Sequence, residues 1–188
     1  MIFGDPYKFA IQIDFVEEWQ NELIGEWKNH FADEGICNVI INGYYQPNLL
    51  PNQSVTILAF CDSLNYMYFY LNQQKIFANL FHLSAHELYS YMQMLSEKIL
   101  DTSTELEENI FEFSKLSVPE ISRTGLENWL FYSENQEKVI CLDNNNSPSE
   151  IILEKGYCCT VIYKTLLWAK EHYAYDKAKR FSEILEPA

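Results

Sequence analysis

Phe9-Ala10-Ile11-Gln12-Ile13-Asp14-Phe15 alternates large apolar side chains with small or polar ones. Successive side chains of an extended chain point to opposite faces, so this period of two reads as a strand with one face in the core. Pro6 stands just ahead of it, where a missing N–H breaks no ladder. Working outward, residues 36–45 (Ile-Cys-Asn-Val-Ile-Ile-Asn-Gly-Tyr-Tyr) read as a second strand closing in an Asn42-Gly43 turn. Both turn residues tolerate positive φ, which a two-residue hairpin demands. Between these strands, Trp19, Leu23, Trp27 and Phe31 have a spacing that does not decide between helix and loop. Pro47 and Pro51 bracket a loop.

From residue 55 the period changes. Ile57, Phe60, Cys61, Leu64, Met67, Tyr68 and Leu71 recur at i, i+3, i+4 and i+7, the stripe of an amphipathic helix. Residues 75–83 read as a short strand. Ser84 and Glu87 form a capping box that opens a second helix, with Leu88, Tyr91, Met92, Leu95 and Ile99 as its apolar side. Residues 101–109 read as an acidic loop, and Ile110, Phe111 and Phe113 as the start of another strand. Pro119 and Gly125 mark a connection. Residues 129–133 and 139–142 read as a hairpin around Glu134-Asn135-Gln136. Residues 144–148 form a turn by composition, and 151–153 a short strand. After Gly156 a last helix runs to about Arg180, with Tyr157, Val161, Thr165, Leu166, Trp168, Ala169 and Tyr173 facing inward. The expectation is one domain over residues 1–188. Its class is α+β, a mostly antiparallel sheet of five to seven strands packed with about three helices.

The 188 residues are 48% apolar and 15% aromatic, enough for a sizeable core. Thirteen basic residues stand against 27 acidic ones, a net charge of −14. That disfavours direct nucleic-acid binding, which needs cations to displace counterions, and it disfavours anionic membrane surfaces. It suits a cationic partner, although solubility alone also favours acidity. The acids cluster: Asp5, Asp14, Glu17, Glu18, Glu22, Glu26, Asp33 and Glu34 near the start, then Asp101, Glu105, Glu107, Glu108 and Glu112 with no base among them. Lys164, Lys170, Lys177, Lys179 and Arg180 reverse the sign near the end. Cys37, Cys61, Cys141, Cys158 and Cys159 are odd in number and irregular in spacing, so a reducing compartment is expected. No signal-peptide pattern opens the chain, and no apolar run approaches the roughly 18 residues of a membrane span. A cytoplasmic location is the expectation.

Chemistry-bearing motifs are sparse. None of the six glycines forms a phosphate-binding loop. His82 and His86 are four apart, but Ser84 caps the helix between them and no third metal ligand is near in sequence. Cys158 and Cys159 sit near a helix start, where the dipole favours a thiolate, yet adjacent cysteines are more often small core residues. His30 and His172 are isolated. Glu107-Glu108 could serve acid–base chemistry or simply a solvated surface. A third use of these acids is mimicry. A protein that neutralises a nuclease presents carboxylates where nucleic-acid phosphates would sit, and acids interleaved with aromatics, as in 105–113 or 17–34, suit that task.

The opening Ile2-Phe3-Gly4-Asp5-Pro6-Tyr7-Lys8-Phe9-Ala10-Ile11 resembles the start of immunity proteins of bacterial polymorphic toxin systems, in the family numbered 42. Ile40-Ile41-Asn42-Gly43-Tyr44 resembles that family's next element. Glu150-Ile151-Ile152-Leu153-Glu154-Lys155-Gly156-Tyr157, running into a helix with Val161-Ile162, resembles its C-terminal end. The chain departs from the family pattern in the acidic stretch 17–34 and in 101–125. The resemblance implies a cytoplasmic inhibitor that binds a secreted toxin domain, as in contact-dependent growth inhibition, blocks its active site and catalyses nothing. Acidity points to a cationic toxin, with a ribonuclease as the first choice. The expected toxin-binding residues are Glu105, Glu107, Glu108 and Glu112, then Glu17, Glu18 and Trp19. No cofactor, metal or small-molecule substrate is expected. The rival readings are a small hydrolase using His86 or Cys158, and an adaptor or homodimer using exposed tyrosines.

Overall fold

Strand β2 (Phe9–Phe15) lies between β1 (Ile2–Gly4) and β3 (Glu34–Ile41), antiparallel to both. The computed structural model describes residues 1–15, 34–46, 55–99, 102–118 and 127–172. In the β2–β3 register Phe9 faces Ile41, Ile11 faces Val39 and Ile13 faces Cys37. All six side chains are buried on one face, as the period of two requires. Asn42 and Gly43, at φ 52° and 82°, turn β3 into β4 (Tyr44–Gln46). That is the two-residue hairpin read from the Asn-Gly pair. The other end of β3 pairs with β5 (Val55–Thr56).

Helix α1 (Ile57–Leu71) follows directly, and every residue of its expected stripe is buried. It packs against β3 and against the last helix, α5 (Tyr157–His172), which also lies on β1 and β2. Val161, Thr165, Leu166 and Ala169 of α5 are buried and Tyr157 and Trp168 half-buried. The helix is described to His172, so its expected extension to Arg180 and the inward-facing Tyr173 lie outside the described residues.

A second antiparallel sheet runs β6 (Trp129–Tyr132), β7 (Gln136–Leu142), β8 (Pro148–Glu154). The expected hairpin is present, with β7 starting earlier and β8 extending further than their apolar cores suggested. Four consecutive residues of β6 are buried because both faces of this sheet are covered. Leu130, Tyr132, Val139 and Cys141 join the core made by the first sheet, α1 and α5. Trp129, Phe131 and Ile140 face the other way, onto α2 (Ala78–Phe81), α3 (Ala85–Lys98) and α4 (Glu105–Ser114). The class is the expected α+β, with its antiparallel strands divided between two sheets and five helices among the described residues.

Two local expectations are corrected. Residues 75–83 do not form a strand. Only Ile76 bridges Tyr132, and the chain then winds into α2 because Phe77, Leu80 and Phe81 repeat at three to four residues rather than two. Residues 101–109 are not a loop leading to a strand at 110–113. Thr104 caps a helix whose Ile110, Phe111, Phe113 and Ser114 are buried. The connections holding Pro47 and Pro51, and Pro119 and Gly125, lie outside the described residues, as does the undecided stretch 19–33.

Gly4 sits at φ +93°, and a Cβ there would stand 2.4 Å from the Phe9 carbonyl oxygen and 2.9 Å from Val161 Cγ2. Its absence lets α5 approach the sheet edge. Gly43 also has positive φ, but a Cβ there would meet only Tyr7 Cδ1 at 3.9 Å. Gly4→Ala is therefore expected to lower unfolding free energy by about 3 kcal/mol in urea titrations, and Gly43→Ala by only about 1 kcal/mol. Equal losses would contradict the packing explanation.

Candidate functional site

Helix α4 carries the acids singled out in 105–112. Thr104 opens it with a capping box: its Oγ1 accepts the Glu107 amide at 3.3 Å, and its own amide donates to Glu107 Oε2 at 2.9 Å. Carboxylates in a first turn also sit at the positive end of the helix dipole. Glu107 is used internally. It accepts from Lys98 Nζ at 2.6 Å as well as from Thr104, and these bonds, the lysine's first, draw its carboxyl down to about 2. Glu108 accepts from Ser103 Oγ at 2.7 Å. Glu105 and Glu108 are exposed and Glu112 half-buried. At i, i+3 and i+7, these three fall on one side of α4, away from the buried Ile110, Phe111 and Ser114. Glu17, Glu18 and Trp19 lie outside the described residues.

Sequence reasoning missed what lies beside these acids. The side of α1 opposite its core stripe carries Asp62, Tyr66 and Phe69, all exposed. Tyr66 is 59% exposed and Phe69 48%, high values for aromatics set into a helix. The Tyr66 hydroxyl donates to Glu112 Oε2 at 3.2 Å, which ties α1 to α4. The Tyr66 and Tyr70 rings are 4.9 Å apart, and Tyr70 meets Phe113 edge-on at 5.3 Å. Lys75 Nζ sits 3.4 Å from the Phe113 ring centroid. The hydrogen bond with Tyr70, then partial burial, then the Glu112 charge all raise the Tyr66 hydroxyl above its ordinary range, so it stays a donor at neutral pH. A signal for these residues was present: aromatics at 66 and 69 fall outside the helical stripe that accounts for the core.

The residues considered for catalysis are placed differently. Cys158 and Cys159 are both buried, and Cys158 is completely so. Burial first, then the neighbouring Glu137, pushes the Cys158 thiol well above its usual value, so the helix dipole does not yield a thiolate. Cys61, Cys141 and Cys159 are each raised to about 12, chiefly by burial. His82 ends α2 and His86 lies inside α3, both exposed, with the Ser84–Glu87 capping box between them as expected. His30 and the side chain of His172 lie outside the described residues. No three His, Cys, Asp or Glu side chains gather into a possible metal group among the described residues. No described helix is long and apolar enough to cross a membrane.

Comparison with known proteins gives this geometry a context. The family model described as Immunity protein 42 matches residues 1–168. Among solved structures, the crystal structure of CdiI from Burkholderia dolosa AUO158 is similar with a TM-score of 0.62 at 19% identity, covering 89% of this chain and 99% of that one. At that identity the likeness is one of fold. No curated protein matches the chain.

All five cysteines are buried. A thiol reagent such as Ellman's is expected to modify none of them in the native protein and all five in denaturant. Rapid native labelling of Cys158 would contradict the sealed site. Glu107 has a folded-state pKa of about 2 against an ordinary 4.5. Its ion pair and cap therefore contribute stability that is complete above about pH 4.5 and lost as pH falls towards about 2. Carboxyl-detected NMR titration should show this low midpoint, and Lys98→Met should raise it.

Proposed function

Because this chain belongs to the Immunity protein 42 family, we propose that it binds a toxin domain in the cytoplasm and blocks its active site, with no reaction of its own. The observation that carries this reading is the α4 surface, where Glu105, Glu108 and Glu112 share one side of the helix and Glu112 meets the exposed Tyr66 of α1. Carboxylates ringing aromatic anchors suit a cationic protein partner, and the net charge of −14 favours rapid encounter with one. A toxin that works on nucleic acid must itself be basic where phosphates bind. A nuclease, and first a ribonuclease, is therefore the proposed target. The contacting residues are Glu105, Glu108 and Glu112, with Glu107 holding the helix start in place, and Glu17, Glu18 and Trp19 as a second set. Neither nucleic acid nor membrane is a direct partner in this reading, and the whole chain acts as one domain.

Co-expression with the C-terminal domain of the product encoded immediately upstream tests it. The chain should co-purify with that domain and restore growth, and neither occurring would remove the reading. The association rate constant is expected to fall by roughly an order of magnitude as ionic strength rises from about 0.02 to about 0.2 M. The double change Glu105→Lys, Glu108→Lys should slow association in the same direction. A rate indifferent to both would exclude electrostatic steering by this surface.

A further inference from the structure

We propose that Tyr66, Phe69 and Tyr70 of α1, together with Glu112 of α4, form the anchor of the interface and receive an arginine or lysine side chain of the toxin domain. This rests on the immunity reading and adds to it a set of aromatic residues and the chemistry of their occupant.

The first ground is exposure without a folding purpose. Tyr66 and Phe69 stand off the α1 stripe that builds the core, yet each leaves about half of a large ring in water. Tyrosine in this setting offers wide contact area at little entropic cost and is enriched among residues that dominate binding energy. The rings are also held in place before any partner arrives. Tyr66 lies 4.9 Å from Tyr70, Phe69 meets Tyr70 edge-on at 5.2 Å, and Tyr70 leans on Phe113. Preorganisation of this kind removes part of the ordering cost of association.

The second ground is charge. Glu112 receives the Tyr66 hydroxyl, and no Lys or Arg among the described residues lies within ion-pair distance of it. Its carboxylate keeps acceptor capacity next to the Tyr66 hydroxyl. A guanidinium or ammonium group can lie over a ring and reach the carboxylate together. The third ground is that the same aromatic array already holds a cation. Lys75 Nζ lies 3.4 Å from the centroid of Phe113, whose ring meets Tyr70. The Tyr66 end offers an exposed ring for a second cation, with the Glu112 carboxylate bonded to its hydroxyl.

Isothermal titration against the purified toxin domain tests the anchor, using Tyr66→Ala, Phe69→Ala, Tyr66→Phe and Glu112→Gln. Tyr66 and Phe69 are exposed and Glu112 is half-buried, and none belongs to the buried core, so urea midpoints should stay near that of the parent chain. Tyr66→Ala is expected to raise Kd by roughly 30-fold or more, and Phe69→Ala and Glu112→Gln by roughly 10-fold. Tyr66→Phe keeps the ring and should lose much less. Glu154→Gln, at an exposed position of β8, should leave Kd unchanged. Double-mutant cycles with the toxin's Arg→Gln and Lys→Gln variants should reveal one basic residue coupled to Glu112. If the parent chain does not bind, the immunity reading fails with this one. Tight binding by the parent and near-parental binding by the Tyr66→Ala and Phe69→Ala chains would overturn the anchor alone. Loss of binding without coupling to a basic residue would overturn the assigned occupant. So would sedimentation showing a dimer of this chain that Tyr66→Ala dissociates.

Discussion

The buried carboxylate of Glu137 is the tie on which the arrangement of the two sheets depends. It projects from β7, wholly out of solvent, and accepts the Gly156 amide at 2.8 Å and the Cys158 amide at 2.7 Å. The first amides of a helix have no intrahelical acceptor, and a carboxylate there also meets the positive end of the dipole. Burial raises its pKa, while the Cys158 and Gly156 bonds pull the other way. Without those amides a charge so placed would be strongly unfavourable, so β7 and the start of α5 are constrained to stay together. Because α5 in turn covers β1, β2 and α1, one carboxylate fixes how the second sheet meets the first. The Tyr132 hydroxyl, donating to the Leu71 carbonyl at 3.0 Å, makes a parallel tie to the end of α1.

From this constraint the outward surface follows. The second sheet is covered on both faces, with its far side against α2, α3 and α4. Lys138, next in sequence to Glu137, points to that far side, where it donates to the Leu83 carbonyl at 2.9 Å and pairs with Glu150 at 3.3 Å. With α1 on one side of the sheet and α4 on the other, the two helices meet along one edge. There Tyr66 reaches Glu112 and Tyr70 reaches Phe113. Acids from one helix and aromatics from the other share a surface only because the core beneath places those helices side by side.

What was legible in the sequence was whatever a local period or turn chemistry specifies. The alternation of 9–15, the Asn42-Gly43 turn, the α1 stripe and the Ser84 cap each depend on a few neighbouring residues. Helix α4 was hidden because its acids masked the helical spacing of the buried Ile110, Phe113 and Ser114. Thr104 and Glu107 make the same capping box as Ser84 and Glu87, and that signal was available. The division into two sheets was not legible, since ladder pairing joins residues far apart in the chain. For the same reason nothing local in the sequence marks Glu137 and Lys138 as buried. Of the site, the α4 acids could be picked out by composition. The α1 aromatics could not be separated from core residues until the stripe had been assigned and the leftover rings noticed.

If the joined surface of α1 and α4 meets the toxin, as proposed, binding shields its backbone amides from solvent. Hydrogen–deuterium exchange of the free chain against its complex with the toxin domain tests this most directly. Added protection is expected in the peptides spanning 62–73 and 102–114, with β8 exchanging as in the free protein. Protection confined to β8 or to the β1 edge, with 62–73 and 102–114 unchanged, would contradict it.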